Sequence, residues 1–285
     1  MMKLGALSFL LVSISCTSNP FWEDAKKNEL NLSGIVHAEN NETGIPVSIW
    51  VETLELYTTT EPDGVFSIPI PNTQSNSGPV SGPVKLYFFI HNYSMDSATV
   101  YFTNGVFSRD QTDFSTSGEL LNTIDLKKIF SGAVELHFGG TSLNIRDTVR
   151  MSFHLNIHSS VSIDAYKFTW AHNDFHSGII FRALNDDTVA TYRYSVPNES
   201  GITIEDEIHT LNYPNDTTLT WTYYILSDSL DLSANAYEVS PYFLIRHEYF
   251  PDGLAAAFGG DSAFTISEKY LKLPSDIVAD TLTID

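Results

Sequence analysis

Between Val149 and Ile157 the chain reads VRMSFHLNI, with apolar and polar residues alternating at every position. Val149, Met151, Phe153, Leu155 and Ile157 fall on one face, and Arg150, Ser152, His154 and Asn156 on the other. A period of two is the mark of a half-buried strand. LTWTYYIL repeats the device with Leu219, Trp221, Tyr223 and Ile225 on one side. In ATVYFTNGVF, Ala98, Val100 and Phe102 share a face, and Asn104-Gly105 supplies the pair of residues that a type I′ hairpin turn requires. From Leu30 onward, short runs of this kind follow one another: LNLSGIVHA, PVSIWVE, LYTTT, VFSIPI, VKLYFFIHN. Turn signals at Asn185-Asp186-Asp187, Pro214-Asn215-Asp216 and Pro251-Asp252-Gly253 separate the later runs. No long helical period occurs, and DLSANAYEV and GLAAAF suit a helical turn or two at most. The expected fold is all-β, two tandem β-sandwich domains, with PNTQSNSGPVSGP (residues 71–83) a long loop inside the first.

Three pieces of the first β region carry a resemblance. They are SGIVHAENNETGIPVSIWVE, TTTEPDGVFSIPIP and YFFIHNYSMDSATVYF. Gly34 and Val36, Pro46 and Val47, then Thr60, Asp63, Gly64 and Phe66, and later Tyr93, fill places shared by the carboxypeptidase regulatory-like domain, a transthyretin-type (prealbumin-like) seven-strand sandwich. Glu61 stands where that family has Asp, and Asn92 precedes Tyr93 in place of Gly. The resemblance covers residues 30–127 and implies an extracytoplasmic spacer or adhesion-type module without catalytic residues. Independently of any family, Pro62-Asp63-Gly64 offers a fixed φ, a side chain able to bond its own backbone, and a residue free to take φ > 0. Phe66 then enters the next strand as a core anchor. After Lys127 and Lys128 the chain passes through Gly132 into a second β region, residues 133–285, for which an immunoglobulin-like sandwich is the expectation.

Ahead of the strands, Lys3 is the only charge before an apolar and small-residue run from Leu4 to Ser15. That run is shorter than the ~20 apolar residues a membrane-crossing helix takes. It has the layout of a secretory signal, residues 1–15. Ser13-Ile14-Ser15-Cys16 resembles the bacterial lipobox, with Ser13 where Leu is usual, and Cys16 is the only cysteine. The resemblance implies acylation of Cys16 and a tether over residues 16–29; the other reading is a plain signal peptide that leaves a stray thiol. Thr17 lacks the charge of an inner-membrane retention Asp, which implies the outer membrane, on its periplasmic or surface face.

Hydrophobic residues at 42% and charged residues at 18% suit packed cores rather than disorder. The net charge of −20 repels nucleic acid, which excludes it as a partner. No zinc-peptidase pattern follows any histidine: His247-Glu248 continues as Tyr249-Phe250-Pro251. Gly-x-Ser-x-Gly is absent; Gly260-Asp261-Ser262 and Asp206-Glu207-Ile208-His209 resemble esterase blocks in reversed order. His154 and His158 lie about 13 Å apart if their segment is extended, too far to share an ion. For a metal, the least implausible nucleus is His172, Asp174 and His176, which a helix would bring together and which the turn-prone Asn173-Asp174 argues against. The Asp-rich turns lack the calcium-loop pattern of Asp/Asn and Gly. Trp50, Trp170 and Trp221 suit either sugar stacking or core packing, the latter favoured for Trp50 and Trp221 by their place in strands. Asp147-Thr148-Val149, Asp187-Thr188-Val189 and Asp280-Thr281-Leu282 resemble a bacterial O-glycosylation sequon and are also expected by chance.

Two classes of function remain. One is a non-enzymatic lipoprotein of the bacterial envelope, held to the membrane by an acyl anchor, requiring no cofactor and binding a protein or glycan through sandwich loops. The other is an anchored hydrolase whose site lies in the second domain. Convergence of three or more His, Asp or Glu side chains on one cleft would favour the hydrolase.

Overall fold

The computed structural model describes residues 30–39, 44–70, 74–75, 78–108, 113–137, 148–171, 174–193, 207–224, 235–260, 267–273 and 277–284. The leader, Cys16, the tether and His172 lie outside them. The chain is almost wholly β. Among the described residues, no helix is long and apolar enough to cross a membrane.

The first part contains β1 (Leu30–Ala38), β2 (Ser48–Val51), β3 (Leu56–Thr59), β4 (Val65–Ile70), the short pair β5 (Gln74–Ser75) and β6 (Gly78–Pro79), β7 (Gly82–Phe89), β8 (Asp96–Thr103), β9 (Val106–Ser108) and β10 (Ile124–Leu126). A three-stranded sheet in the order β10-β1-β4 faces a five-stranded sheet in the order β3-β2-β7-β8-β9. Leu32, Val36, Phe66 and Ile68 from the first meet Ile49, Val84, Leu86, Phe88 and Val100 from the second in one core. Strand β4 alternates as its sequence does, with Phe66, Ile68 and Ile70 inward and Val65, Ser67 and Pro69 outward. Among the described residues it pairs only with β1, so Pro69 sits on an edge strand, where a missing N–H is tolerated. The segment read as a loop over 71–83 is shorter than expected: it contains β5 and β6, and β7 already begins at Gly82.

The residues carrying the family resemblance occupy turn and core places. Asp63 accepts the Val65 N–H at 3.1 Å, the Gly64 N–H donates to the Glu61 carbonyl, and Gly64 has φ +82°. A Cβ on Gly64 would lie 2.3 Å from the Val36 carbonyl oxygen, so only glycine fits both the torsion and the space. Gly34 lies opposite Phe66 in the β1–β4 ladder, Pro46 is exposed at the approach to β2, and Tyr93 is fully buried. Asn104 and Gly105 both have positive φ at the tip of the β8–β9 hairpin, as a type I′ turn demands.

The second part holds β11 (Phe130–His137), β12 (Thr148–Ile157), β13 (Ser162–Ala171), β14 (Asp174–Ala183), β15 (Val189–Arg193), β16 (Glu207–Leu211), β17 (Asn215–Tyr224), β18 (Asn235–Pro241), β19 (Phe243–Arg246), α1 (Asp252–Ala257), α2 (Glu268–Leu271) and β20 (Asp280–Ile284). A sheet ordered β11-β12-β17 packs on a larger one ordered β16-β13-β14-β18-β20, with β15 beside β14 and β19 beside β13. Met151, Phe153, Leu155 and Ile157 fill the shared core as the alternation of β12 requires. Trp221 joins them, edge-on to Phe153 with ring centroids 4.4 Å apart. Two turn-or-helix expectations change. Asn235–Val239 within DLSANAYEV is strand, because Tyr237 and Val239 bury into the core while the backbone pairs with β14 and β20. Pro251-Asp252-Gly253 opens α1 instead of forming a free turn.

The larger sheet is forked. β13 and β14 pair only from Phe168↔Ser177 to Ala171↔Asp174. Beyond that they part, and the β18–β19 segment enters the gap: β18 pairs with β14 and β19 with β13. Tyr242, at the corner between β18 and β19, donates its N–H to the Gly178 carbonyl. A Cβ on Gly178 would fall 1.4 Å from the Tyr166 carbonyl oxygen, so the apex of the fork admits only glycine.

A third apolar cluster lies between the sandwiches. Trp50, Tyr87 and Phe89 from β2 and β7 meet Tyr166, Tyr242, Leu254, Phe258 and Tyr270 from the second part. Trp50 stacks on Tyr87 at 5.9 Å and abuts Gly253 so closely that a Cβ there would lie 2.0 Å from the indole. Trp50 is therefore a joint between sandwiches and not part of either sandwich core. Truncating a buried aromatic of this kind costs about 3–5 kcal/mol. Trp50→Ala is expected to lower the unfolding free energy in urea by that amount, while Val106→Ala, at a 67% exposed residue outside the layer, costs well under ~2 kcal/mol. Equal effects would show that the aromatic layer does not join the sandwiches.

Candidate functional site

The end of β7 and the middle of β13 are buried on both faces and β19 on one, and the residues of these strands turned away from the two sandwich cores build a cleft. On β13, Ile163 and Ala165 enter the second core, so Asp164 and Tyr166 point the other way. On β19, Phe243 and Ile245 point inward and Leu244 and Arg246 outward. On β7, Leu86 and Phe88 fill the first core, leaving Tyr87 and Phe89 for the joint, with His91 two residues on. The resulting cleft has a volume of about 430 Å³ and is completed by His247, Phe250, Ala255 and Tyr270. That volume falls within the range of small-molecule sites.

Asp164 is the buried charge of the cleft, its side chain 1% exposed. Arg246 Nε donates to one carboxylate oxygen at 2.6 Å and the Thr210 hydroxyl to the other at 2.7 Å. Paired and hydrogen-bonded, the carboxylate meets the conditions for a charge to be kept inside. The arginine side chain is 60% exposed. Its Nε edge is tied to Asp164, and the rest of the side chain is largely open to solvent.

His91 bridges the two sandwiches. Its Nε2 lies 3.0 Å from the Phe243 carbonyl oxygen, which can only accept, so Nε2 carries the proton and Nδ1 the lone pair. Nδ1 is buried and has no hydrogen-bond donor among the described residues. A buried acceptor left so costs about 1–3 kcal/mol. Asn92, beside it, donates Nδ2 to the Phe130 carbonyl at 2.7 Å and accepts the Phe130 N–H at 3.3 Å. The side chain thus pairs like a strand residue and ties the end of β7 to the start of β11, a reason for Asn where the resembling family has Gly. On the far wall, Arg182 donates Nε and Nη2 to the Leu271 carbonyl and Nη2 to that of Leu273, fixing the C-terminal end of α2 and with it Tyr270. Ser267 caps the other end, accepting the Tyr270 N–H.

Burial sets the protonation states. It lowers His91 from its ordinary value of 6.5 to about 4, against the pull of the Phe243 carbonyl and with help from the charges of Arg182 and His247. Burial also lowers His247 to about 4. Tyr270 is raised well above the usual phenol range, again by burial. At neutral pH the cleft therefore contains two neutral imidazoles, a neutral phenol and one closed ion pair.

None of the candidate site residues chosen from the sequence lines this cleft, although His247, weighed there only for a zinc pattern it lacks, does. Gly34, Pro46, Asp63, Gly64, Phe66 and Tyr93 serve the first sandwich. Asp174 opens β14 opposite Ala171. His176 is buried in the same strand, its Nδ1 3.1 Å from the Thr191 hydroxyl. His176 lies in extended β14 and not in the helix that pairing it with His172 would need, and His172 lies outside the described residues. Among the described residues, no group of three His, Cys, Asp or Glu is placed to hold a metal. The cleft residues did leave a trace in the sequence. LYFFI at the end of β7 breaks the alternation found elsewhere, and a strand apolar at successive positions is buried on both faces, whereas SIDAY in β13 keeps the alternation and carries no such signal.

No family model and no curated protein matches the chain. Among solved structures, it is similar to a DUF3823 family protein from Parabacteroides merdae ATCC 43184, at 11% identity over 75% of this chain and 90% of that one, with a TM-score of 0.28. It is also similar to a DUF3823 family protein from Bacteroides ovatus ATCC 8483, at 13% identity over 76% and 95% of the two chains, with a TM-score of 0.27. Superpositions this loose transfer no residue roles.

The two histidines predict a pH dependence. The unfolded chain takes up protons near pH 6.5, whereas folded His91 and His247 stay neutral until about pH 4. Unfolding therefore binds protons in that window: stability is complete above pH 6.5 and declines as pH falls toward 4. For His91 the shift corresponds to roughly 3 kcal/mol. Urea midpoints are expected to fall between pH 6.5 and pH 5, and His91→Gln should flatten that slope. An unchanged slope in the variant would remove His91 from this role.

Proposed function

We propose that the chain is a non-catalytic, lipid-anchored binding protein of the bacterial envelope and that it binds through the cleft between its two sandwiches. The observation that carries this reading is the commitment of the cleft's polar groups to one another. Both oxygens of Asp164 are engaged, and Nε2 of His91 holds a backbone carbonyl. His91 and His247 lie far below neutrality and Tyr270 far above it. General acid–base work at neutral pH favours a group that titrates near that pH. Fixed donors and acceptors beside aromatic walls suit recognition instead.

The anchor belongs to the same reading. Cys16 ends the only N-terminal apolar run and has no second cysteine to pair with. Acylation there would place the tether and then the first sandwich outside the membrane, with Thr17 favouring the outer membrane. A carboxypeptidase regulatory-like identity for residues 30–127 agrees with a spacer role and is supported by the places of Gly64 at a positive-φ turn and of Phe66 in the core. The partner in this reading is an envelope or extracellular protein or glycan, and nucleic acid is disfavoured by the charge of −20.

Fractionation of cells expressing Cys16→Ala tests the anchor. Wild-type protein should require detergent for extraction from membranes, and the variant should appear in the soluble fraction. Persistent detergent-requiring association of the variant would overturn the lipoprotein reading.

A further inference from the structure

The ligand class of the cleft follows from its charge balance and its walls, an inference that rests on the cleft being a binding site. We propose that the cleft takes an uncharged sugar, a mono- or disaccharide, with a ring face against its aromatic side chains and hydroxyls on Arg246 and His91.

Charge removes the alternatives of either sign. The chain carries −20, a field that opposes the approach of an anion. Inside, Arg246 is already neutralised by Asp164 at 2.6 Å, so an anion there would meet a buried carboxylate directly behind the guanidinium. A cation gains no more. It would face the outer half of Arg246, and the Arg182 charge, which acts on His91, lies behind the wall. The histidines add no charge near neutral pH, since burial keeps both in the neutral form.

Polarity removes a wholly apolar ligand. Covering Arg246 takes its Nη donors out of water with no acceptor to replace it, and desolvated polar groups without partners oppose binding. A hydroxyl both donates and accepts. Arg246, 60% exposed, offers donors, and the cleft-lining His91 carries a buried Nδ1 lone pair for which no donor exists among the described residues. Between these lie the rings of Phe89, Phe250, Tyr166 and Tyr270. Phe89 is buried and meets Phe250 edge to face at 5.2 Å, which fixes the half-buried Phe250 as the aromatic wall a pyranose C–H face can pack on. A volume of about 430 Å³ favours one or two rings over a long chain.

The test is ligand-observed NMR on the full chain in detergent. The neutral probes are methyl glucoside, methyl galactoside, methyl mannoside, N-acetylglucosamine, maltose, cellobiose and lactose. Glucuronate and glucosamine present the same ring with opposite charges. At least one neutral probe should bind about tenfold more tightly than both charged ones. Arg246→Lys, which keeps a charge beside Asp164 but loses the guanidinium fork, should weaken that binding about tenfold, as should Phe250→Ala at the half-buried wall. Melting curves establish that each variant is folded, and either one suffices if the other is not. Tighter binding of a charged ring, or neutral binding indifferent to a folded variant, would overturn the proposal. A parallel panel of benzoate, tetramethylammonium and indole separates the two levels. If one of these binds and Arg246→Lys weakens it while no sugar binds, the sugar class falls and the cleft stands. If nothing binds the folded protein, both fall.

Discussion

The aromatic layer between the sandwiches is the contact on which the rest of the molecule depends. Trp50, Tyr87 and Phe89 project from the back of the first sandwich, and Tyr166, Tyr242, Phe258 and Tyr270 from the back of the second. Phe258 lies within 5.6 Å of Phe89 and 6.1 Å of Tyr270, ring centre to ring centre, so it connects the two sets. Such rings bury much area with few rotatable bonds and prefer edge-to-face or tilted contacts. The layer also explains the small residues nearby: Gly253 lies flat on the indole because nothing larger than hydrogen fits.

The cleft is what this layer leaves open at one side. The fork in the larger sheet brings Asp164 and Arg246 together, because β19 enters beside β13 only where β14 has turned away at Gly178. A continuous β13–β14 ladder would place a β14 residue beside Asp164 and leave its charge without Arg246. Backbone strain is avoided by glycine at the apex, and polar strain by the ion pair at the base. The sheet defect and the buried charge are thus two parts of one arrangement.

Electrostatics divides along the same line. The many carboxylates give the outside a strongly negative field, whereas the cleft is locally balanced by the Asp164–Arg246 pair. Burial of the individual side chains lowers the two histidines and raises Tyr270. A group that must stay neutral inside a negative protein is better suited to recognising dipoles than to moving protons.

Much of the fold was legible in the residues. The alternation of β12 named its core face correctly at Met151, Phe153, Leu155 and Ile157, and the tight turns at Asp63-Gly64 and Asn104-Gly105 formed where φ > 0 was signalled. Local chemistry decides such features, since a period of two and a glycine-dependent torsion act within a few residues. NAYEV misled because alanine and a short polar context suit a helix, and only pairing with β14 and β20 makes it strand. The cleft was decided by tertiary structure. LYFFI could announce burial on both faces, but not what would cover the second, and SIDAY, alternating, announced one face only. Asp164, 82 positions from Arg246, and His91, 152 positions from Phe243, meet only once two sandwiches dock, a contact that no local pattern encodes.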